Sequence, residues 1–165
     1  MPGVVVRPVE VADVEGLLDI YESVAAERRY IAGELPVDRA KRRSGWISMI
    51  EGKSPGRYLA AEVDGALVGM ASVAGTSPLE LGMMVAAPWR GKGVGTALLE
   101  ACIEWAKESG AHKICLEVWP HNDGAIALYE RYGFVREGYR RKQWRRRNGE
   151  LWDSVMMGLL LVDDE

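Results

Sequence analysis

Residues 79–110, LELGMMVAAPWRGKGVGTALLEACIEWAKESG, limit what this 165-residue chain can fold into more than any other stretch. Residues 79–87 read as a strand ended by Pro88. Val94, Ala97, Leu98, Ala101 and Trp105 then fall on one face of a helix that stops at Gly110. Between strand and helix lies Arg90-Gly91-Lys92-Gly93-Val94-Gly95-Thr96. Glycines at a strand-to-helix turn let backbone N–H groups converge, and the helix N-terminus adds roughly half a positive charge. A phosphate or pyrophosphate is the expected guest. Two familiar nucleotide loops do not fit: Ala86 stands where a GxxxxGK[ST] loop needs its first glycine, and Thr96 replaces the last glycine of GxGxxG.

The flanking sequence alternates strand and helix patterns. Val4 to Val6 begin a strand closed by Pro8, and Val14, Leu17, Leu18, Tyr21 and Val24 follow at helical spacing. Pro36 and Asp38 open a second helix carrying Trp46, Ile47 and Ile50. Residues 58–63 and 66–74 form a hairpin about Asp64-Gly65, a dipeptide suited to a turn with two positive φ angles. Gly82 interrupts the next strand, as a bulge or a close approach would. Residues 114–118 read as a strand, 123–131 as a helix, and 134–147 and 151–161 as a hairpin around Asn148-Gly149. No repeat or linker breaks the chain, so residues 1–165 are expected to form one domain with helices packed on a mixed sheet.

Charge separates two function classes. Residues 140–149, RRKQWRRRNG, hold six of the 21 Lys and Arg residues, leaving 15 against 24 Asp and Glu in the remainder. The basic charge is local and the sequence pI is about 5.5, so this is not the footprint of a domain that lives on phosphate contacts. Alternation puts Arg141, Arg145 and Arg147 on one face of the arm and Arg140, Lys142 and Arg146 on the other, a solvated strand. Cys102 and Cys115 sit in apolar surroundings, and with His112 and His121 they offer no metal-ligand spacing. No run approaches the roughly 20 apolar residues of a membrane span. The expectation is a soluble, cytoplasmic protein with no metal.

Arg90-x-x-Gly93-x-Gly95, preceded by Val85-x-x-Pro88, resembles the acetyl-CoA loop of the GNAT superfamily of N-acetyltransferases. NDGAIALYERYGF, with Asn122, Ala125, Leu128, Tyr129, Gly133 and Phe134, is similar to a second motif of that superfamily. The resemblance implies an α/β (α+β) fold. Its mixed, mostly antiparallel seven-stranded sheet carries helices on both faces, and the strand at 79–87 splays from that at 114–118 around acetyl-CoA. Met83, Met84 and Val85 would then bond the pantetheine, Arg90, Gly91, Lys92, Gly93, Val94, Gly95 and Thr96 would cradle the pyrophosphate, and Asn122 would contact the cofactor from the other side. Asn122 also suits a helix N-cap.

The implied chemistry asks for a base and a proton donor. An amine of pKa near 10.4 is an ammonium at neutral pH and must lose a proton before it attacks. Glu80 is the candidate base, with Glu117 as the alternative, and Tyr129 matches the family's usual donor to the leaving thiolate. The acceptor, a small-molecule amine, an amino acid or a peptide N-terminus, is set in the family by segments matching residues 30–36, 119–121 and 139–153. Glu34, Trp119 and Asp153 are candidates to bind a cationic acceptor, and a homodimer is implied. The competing class is a non-catalytic acyl-CoA-binding or RNA-associated module using the hairpin at 139–149.

Overall fold

The computed structural model describes residues 3–162. Seven strands, β1 (Val5–Pro8), β2 (Gly56–Val63), β3 (Ala66–Gly75), β4 (Leu79–Val85), β5 (Lys113–Val118), β6 (Val135–Arg145) and β7 (Leu151–Leu160), form one sheet in the order β1-β2-β3-β4-β5-β7-β6. All pairings are antiparallel except β4 with β5. The helices are α1 (Val14–Ala26), α2 (Arg39–Ile50), α3 (Val94–Glu108) and α4 (Asp123–Arg131). The mixed, mostly antiparallel seven-stranded sheet expected from the sequence is the one observed.

Alternation along the central strands divides the core in two. Leu59, Ala61 and Val63 of β2, with Leu79 and Leu81 of β4, pack with Leu98, Leu99 and Cys102 of α3 and Ile126 and Tyr129 of α4. Ala60 and Met84, pointing the other way, pack with Leu17 and Leu18 of α1 and Trp46 of α2. The sheet is therefore covered on both faces. Leu17, Leu18, Leu98 and Leu99 are fully buried, and truncating such a leucine to alanine typically costs about 2–5 kcal/mol.

Local chemistry sets the ends of these elements. Asp64 and Gly65 take φ of 50° and 80°, as the β2–β3 turn requires. The Asp38 carboxylate accepts from the Lys41 N–H at 3.1 Å and caps α2, and Gly110, with φ of 81°, follows the end of α3. β4 ends at Val85 rather than at residue 87, because Ala87–Trp89 turns into a short 3-10 segment. Gly82 is not a bulge: the β3–β4 register runs unbroken through Ser72↔Gly82. A Cβ at Gly82 would sit 3.1 Å from the Ser72 hydroxyl, a tight approach from the neighbouring strand.

Candidate active site

The β4–β5 pair consists of two rungs, Leu79↔Ile114 and Glu80↔Cys115. Beyond Glu80 the strands part. β5 continues beside β7 as far as Val118↔Val155, and β4 beside β3 as far as Gly69↔Val85. The gap opens into a cleft of about 870 Å³ that reaches both faces of the sheet. Met83, Met84 and Val85 line it from β4 and Val118 from β5.

The loop before α3 forms one end. Gly91 and Gly93 have φ of 73° and 86°, a left-handed geometry that favours glycine. Gly93 supplies no side-chain cap, and the Ala97 N–H to Gly93 carbonyl bond of 3.0 Å is the first of the helical series. The N–H groups of Val94, Gly95 and Thr96 therefore have no acceptor within the helix. Gly91, Gly93, Gly95 and Thr96 line the cleft, whereas Val94 is buried in the core and Lys92 lies near the Trp89 ring, its Nζ 5.2 Å from the centroid.

Arg90 departs from its expected part in a phosphate cradle. Its guanidinium donates to both Glu27 carboxylate oxygens, at 2.7 and 2.6 Å, and to the Val85 carbonyl at 3.1 Å, while lying 3.9 Å from the centre of the Tyr30 ring. These bonds hold the Glu27 carboxyl below its ordinary range, so the pair is ionised and mutually neutralised at neutral pH. Arg90 ties the loop to the end of α1. Across the cleft, Asn122 accepts weakly from the Ala125 N–H at 3.4 Å as the cap of α4, and its side chain also lines the opening.

Tyr129, on α4, is buried against Phe134 at a centroid distance of 5.5 Å and reaches the cleft. Burial pushes its phenol up to about 12, so it is protonated throughout the physiological range. Burial likewise pushes the Cys102 thiol up to about 12, which makes it core rather than nucleophile. Glu80 and Glu117 both line the cleft. Glu117 accepts a hydrogen bond from the Trp144 indole, while Glu80, exposed at the last rung before the split, has no hydrogen-bond partner among the described residues.

The opposite end departs most from expectation. The basic arm does not alternate regularly, since β6 takes four steps from Arg140 to Trp144 while β7 takes two from Ser154 to Trp152, and Lys142 turns to φ of 51°. The strand ends at Arg145 rather than at residue 147, and Arg146 is buried. Its guanidinium lies 5.1 Å from the Trp119 ring centre and 4.5 Å from that of Trp152, donates to the Ala32 carbonyl at 3.0 Å, and approaches Glu34 at 3.7 Å. Trp119 and Trp144 line the cleft beside this cluster. No local pattern separated Arg146 from its five basic neighbours. The only available signal was the grouping of Trp119, Trp144 and Trp152 at one end of neighbouring strands.

Glu34 and Asp153, expected to bind a cationic acceptor, are instead placed away from the cleft lining and bonded within the chain. Both Glu34 oxygens accept from the Arg147 N–H at 3.2 Å, and Asp153 accepts from the Lys142 N–H at 2.6 Å and from the Tyr139 hydroxyl. Neither lines the cleft. Of the six basic residues of the arm only Arg146 is folded inward, while Arg147, exposed, donates to the Pro36 carbonyl at 3.1 Å.

The family model described as Acetyltransferase (GNAT) family matches residues 17–134, most of the chain and the whole of the split and its glycine loop. The chain belongs to the GNAT acetyltransferase family. This GNAT chain is 31% identical over 140 residues to an L-methionine sulfoximine/L-methionine sulfone acetyltransferase of Pseudomonas paraeruginosa, covering 81% of each chain. Its fold matches the crystal structure of a ribosomal-protein-alanine N-acetyltransferase from Brucella melitensis at a TM-score of 0.85 and 28% identity, over 94% of this chain and 99% of that one. It also matches a GNAT superfamily phosphinothricin acetyltransferase from Sinorhizobium meliloti in complex with acetyl-CoA, at a TM-score of 0.84 and 22% identity, over 97% and 89%.

Proposed function

We propose that this GNAT enzyme transfers the acetyl group of acetyl-CoA directly to the primary amine of a small molecule, amino acid or peptide N-terminus, with Glu80 as base and Tyr129 as hydrogen-bond donor. The reaction class, acetyl-CoA-dependent N-acetylation, is that of the family to which the chain belongs. The observation that carries the residue assignments is the parting of β4 from β5 immediately after Glu80, opposite a glycine-built helix N-terminus with unpaired N–H groups. The backbone at Met83, Met84 and Val85 would bind the pantetheine, and the N–H groups from Gly91 to Thr96 would bind the pyrophosphate. No arginine side chain is needed there.

Glu80, free of internal partners, takes the proton of the acceptor ammonium directly or through a water. The neutral amine attacks the thioester carbonyl, and a backbone N–H from the Met83–Val85 segment stabilises the oxyanion where water is excluded. Tyr129 donates to the sulfur as negative charge develops on it. With the phenol near 12 and a thiol near 8.5, full proton transfer from Tyr129 is uphill by about 5 kcal/mol. Tyr129 therefore hydrogen-bonds the departing thiolate while keeping its proton, and the second proton of the acceptor nitrogen, shed as the C–S bond breaks and the amide forms, passes to the thiolate or to water.

The homodimer belongs to this proposal. β6 is the sheet edge, all eleven of its residues are exposed, and Val135 and Tyr139 place apolar surface there. Light scattering that returns the 18.2 kDa monomer at micromolar concentration would remove it.

Thiol release from acetyl-CoA, measured across an amine panel for wild type, Tyr129→Phe and Glu80→Gln, tests the chemistry. We expect kcat to fall about 100-fold in each variant, with acetyl-CoA affinity by calorimetry changed less than threefold. Wild-type turnover with both variants at full kcat would sink the two assignments.

A further inference from the structure

The cleft extends well past the β4–β5 split, onto the face of the sheet covered by α1 and α2. Tyr21 of α1, Arg42 of α2 and Tyr58 of β2 line it there. The Arg42 guanidinium lies 4.2 Å from the centre of the Tyr21 ring. Burial raises both phenols, Tyr21 and Tyr58, and the Arg42 charge pulls both back down, so the cation stands within electrostatic reach of both hydroxyls. Trp46, edge-on to each ring at 6.0 and 6.1 Å, holds the two tyrosines on either side. Gly33 presses against the Tyr21 hydroxyl, where a Cβ would come within 2.0 Å.

This group differs from the other ionic clusters at the cleft in having no anion. Arg90 is matched by Glu27 and Arg146 by Glu34. Arg42 makes no salt bridge, and neither tyrosine hydroxyl has a hydrogen-bond partner, among the described residues. Arg29 and Arg131 also line the cleft without a carboxylate. They stand elsewhere: Arg29 shares the Tyr30 ring with Arg90, and Arg131 is on α4 with Asn122 and Tyr129. The sheet fixes the distance to the reacting end. Tyr58 pairs with Ser72, which pairs with Gly82, so Tyr58 is two strand spacings, roughly 10 Å, from β4. Glu80 lies two residues along β4 on the same face as Gly82.

We propose that Arg42, with the hydroxyls of Tyr21 and Tyr58, is a carboxylate subsite, and that the acceptor is a free amino acid rather than a polyamine or a protein N-terminus. The proposal rests on the N-acetyltransferase reading and names its substrate class. The planar guanidinium fork takes both carboxylate oxygens, and the phenols satisfy the remaining lone pairs. Met70, Met84 and Trp46 line the same cleft on this face of the sheet, which suits an apolar side chain on the acceptor.

The test compares L-methionine and L-phenylalanine with their carboxamides, with phenethylamine and with spermidine, each with acetyl-CoA, for wild type, Arg42→Met and Tyr58→Phe. Removing one partner of such an anion contact typically changes affinity by tenfold or more. The wild type should prefer the free amino acids over their amides by at least tenfold in kcat/KM. Arg42→Met should abolish that preference by raising the KM of the carboxylates alone, and Tyr58→Phe should reduce it severalfold. Acetyl-CoA affinity, measured by calorimetry, should be unchanged and shows that each variant is folded. Equal or better use of amides, phenethylamine or spermidine, or a preference that survives in Arg42→Met, overturns the subsite while leaving the transferase intact. Acetyl-CoA binding with no amine acetylated would instead overturn the transferase reading, and the subsite with it.

Discussion

The two ends of the cleft are made from different parts of the polypeptide. The end at the β4–β5 split is largely backbone: strand segments that have lost a neighbour, and a left-handed Gly91–Gly93 turn whose helix begins without a cap. Its defining residues lie within one continuous run of sequence, because a strand, a turn and a helix must follow each other for N–H groups to converge. The other end is side chain. Trp119, Trp144, Arg146 and Trp152 meet there with the loop around Ala32 and Glu34, over sequence separations of up to 114 residues. A backbone site recognises what its guests have in common, whereas a side-chain site can be rebuilt without disturbing it. The shared acetyl donor and the variable acceptor should therefore separate cleanly under mutation.

The strongest break of that separation is Gly93→Val. At φ of 86° an L-residue carries roughly 1–2 kcal/mol of strain and a branched one more, so the turn must leave its left-handed geometry. We expect acetyl-CoA to bind about 30-fold more weakly by calorimetry, with the thermal transition lowered by only a few degrees and the ranking among acceptors unchanged. A changed ranking would mean that the two ends are coupled.

This division also explains what could be read in advance. The strand order, the splay and the glycine loop were legible because each rests on local periodicity or on a motif whose residues are neighbours in sequence. The placement of Asn122 and Tyr129 at the cleft was legible for the same reason, the two being seven residues, about two turns, apart on α4 and its cap. The internal bonds of Glu34 and Asp153 were not legible, because their donors, Arg147 and Lys142, are 113 and 11 residues away. Arg146 was hidden by the bulge at Lys142, which breaks the alternation on which facing is judged. The partner of Arg90 in the structure, Glu27, could not be read in advance, because it is 63 residues earlier.

Arg146→Met probes the side-chain end. The buried cation lies against two indoles in a desolvated cluster, where such contact contributes about 2 kcal/mol. Methionine fills much of the volume and Glu34 keeps the Arg147 N–H, so the protein should fold with stability reduced by about 2 kcal/mol in urea. The loop holding Ala32 loses its anchor, so the acceptor KM should rise severalfold while the acetyl-CoA affinity stays within twofold. Loss of acetyl-CoA binding with an intact acceptor KM would reverse the assignment of the two ends.

The smallest effect is expected where the glycine loop is tied to the end of α1. Glu27, at the end of α1, fixes Arg90 beneath the glycine loop, and α1 also carries Tyr21. Both side chains are partly exposed, so the pair contributes at most about 1 kcal/mol. The sign of its pH dependence follows from Arg90 depressing the Glu27 carboxyl below its usual 4.5. Folded Glu27 thus binds its proton less readily than unfolded Glu27. The stabilisation is complete above about pH 4.5 and is lost as the pH falls through the lower folded value. Glu27→Gln should therefore be less stable than wild type at pH 7, by urea titration, and the deficit should shrink toward zero in acid. At pH 7 the freed Arg90 guanidinium would gain access to the loop, and acetyl-CoA affinity should change by less than fivefold in either direction. A stability deficit that persists unchanged at low pH would show that Glu27 acts through packing rather than charge, leaving Arg90 anchored by the Val85 carbonyl and the Tyr30 ring alone.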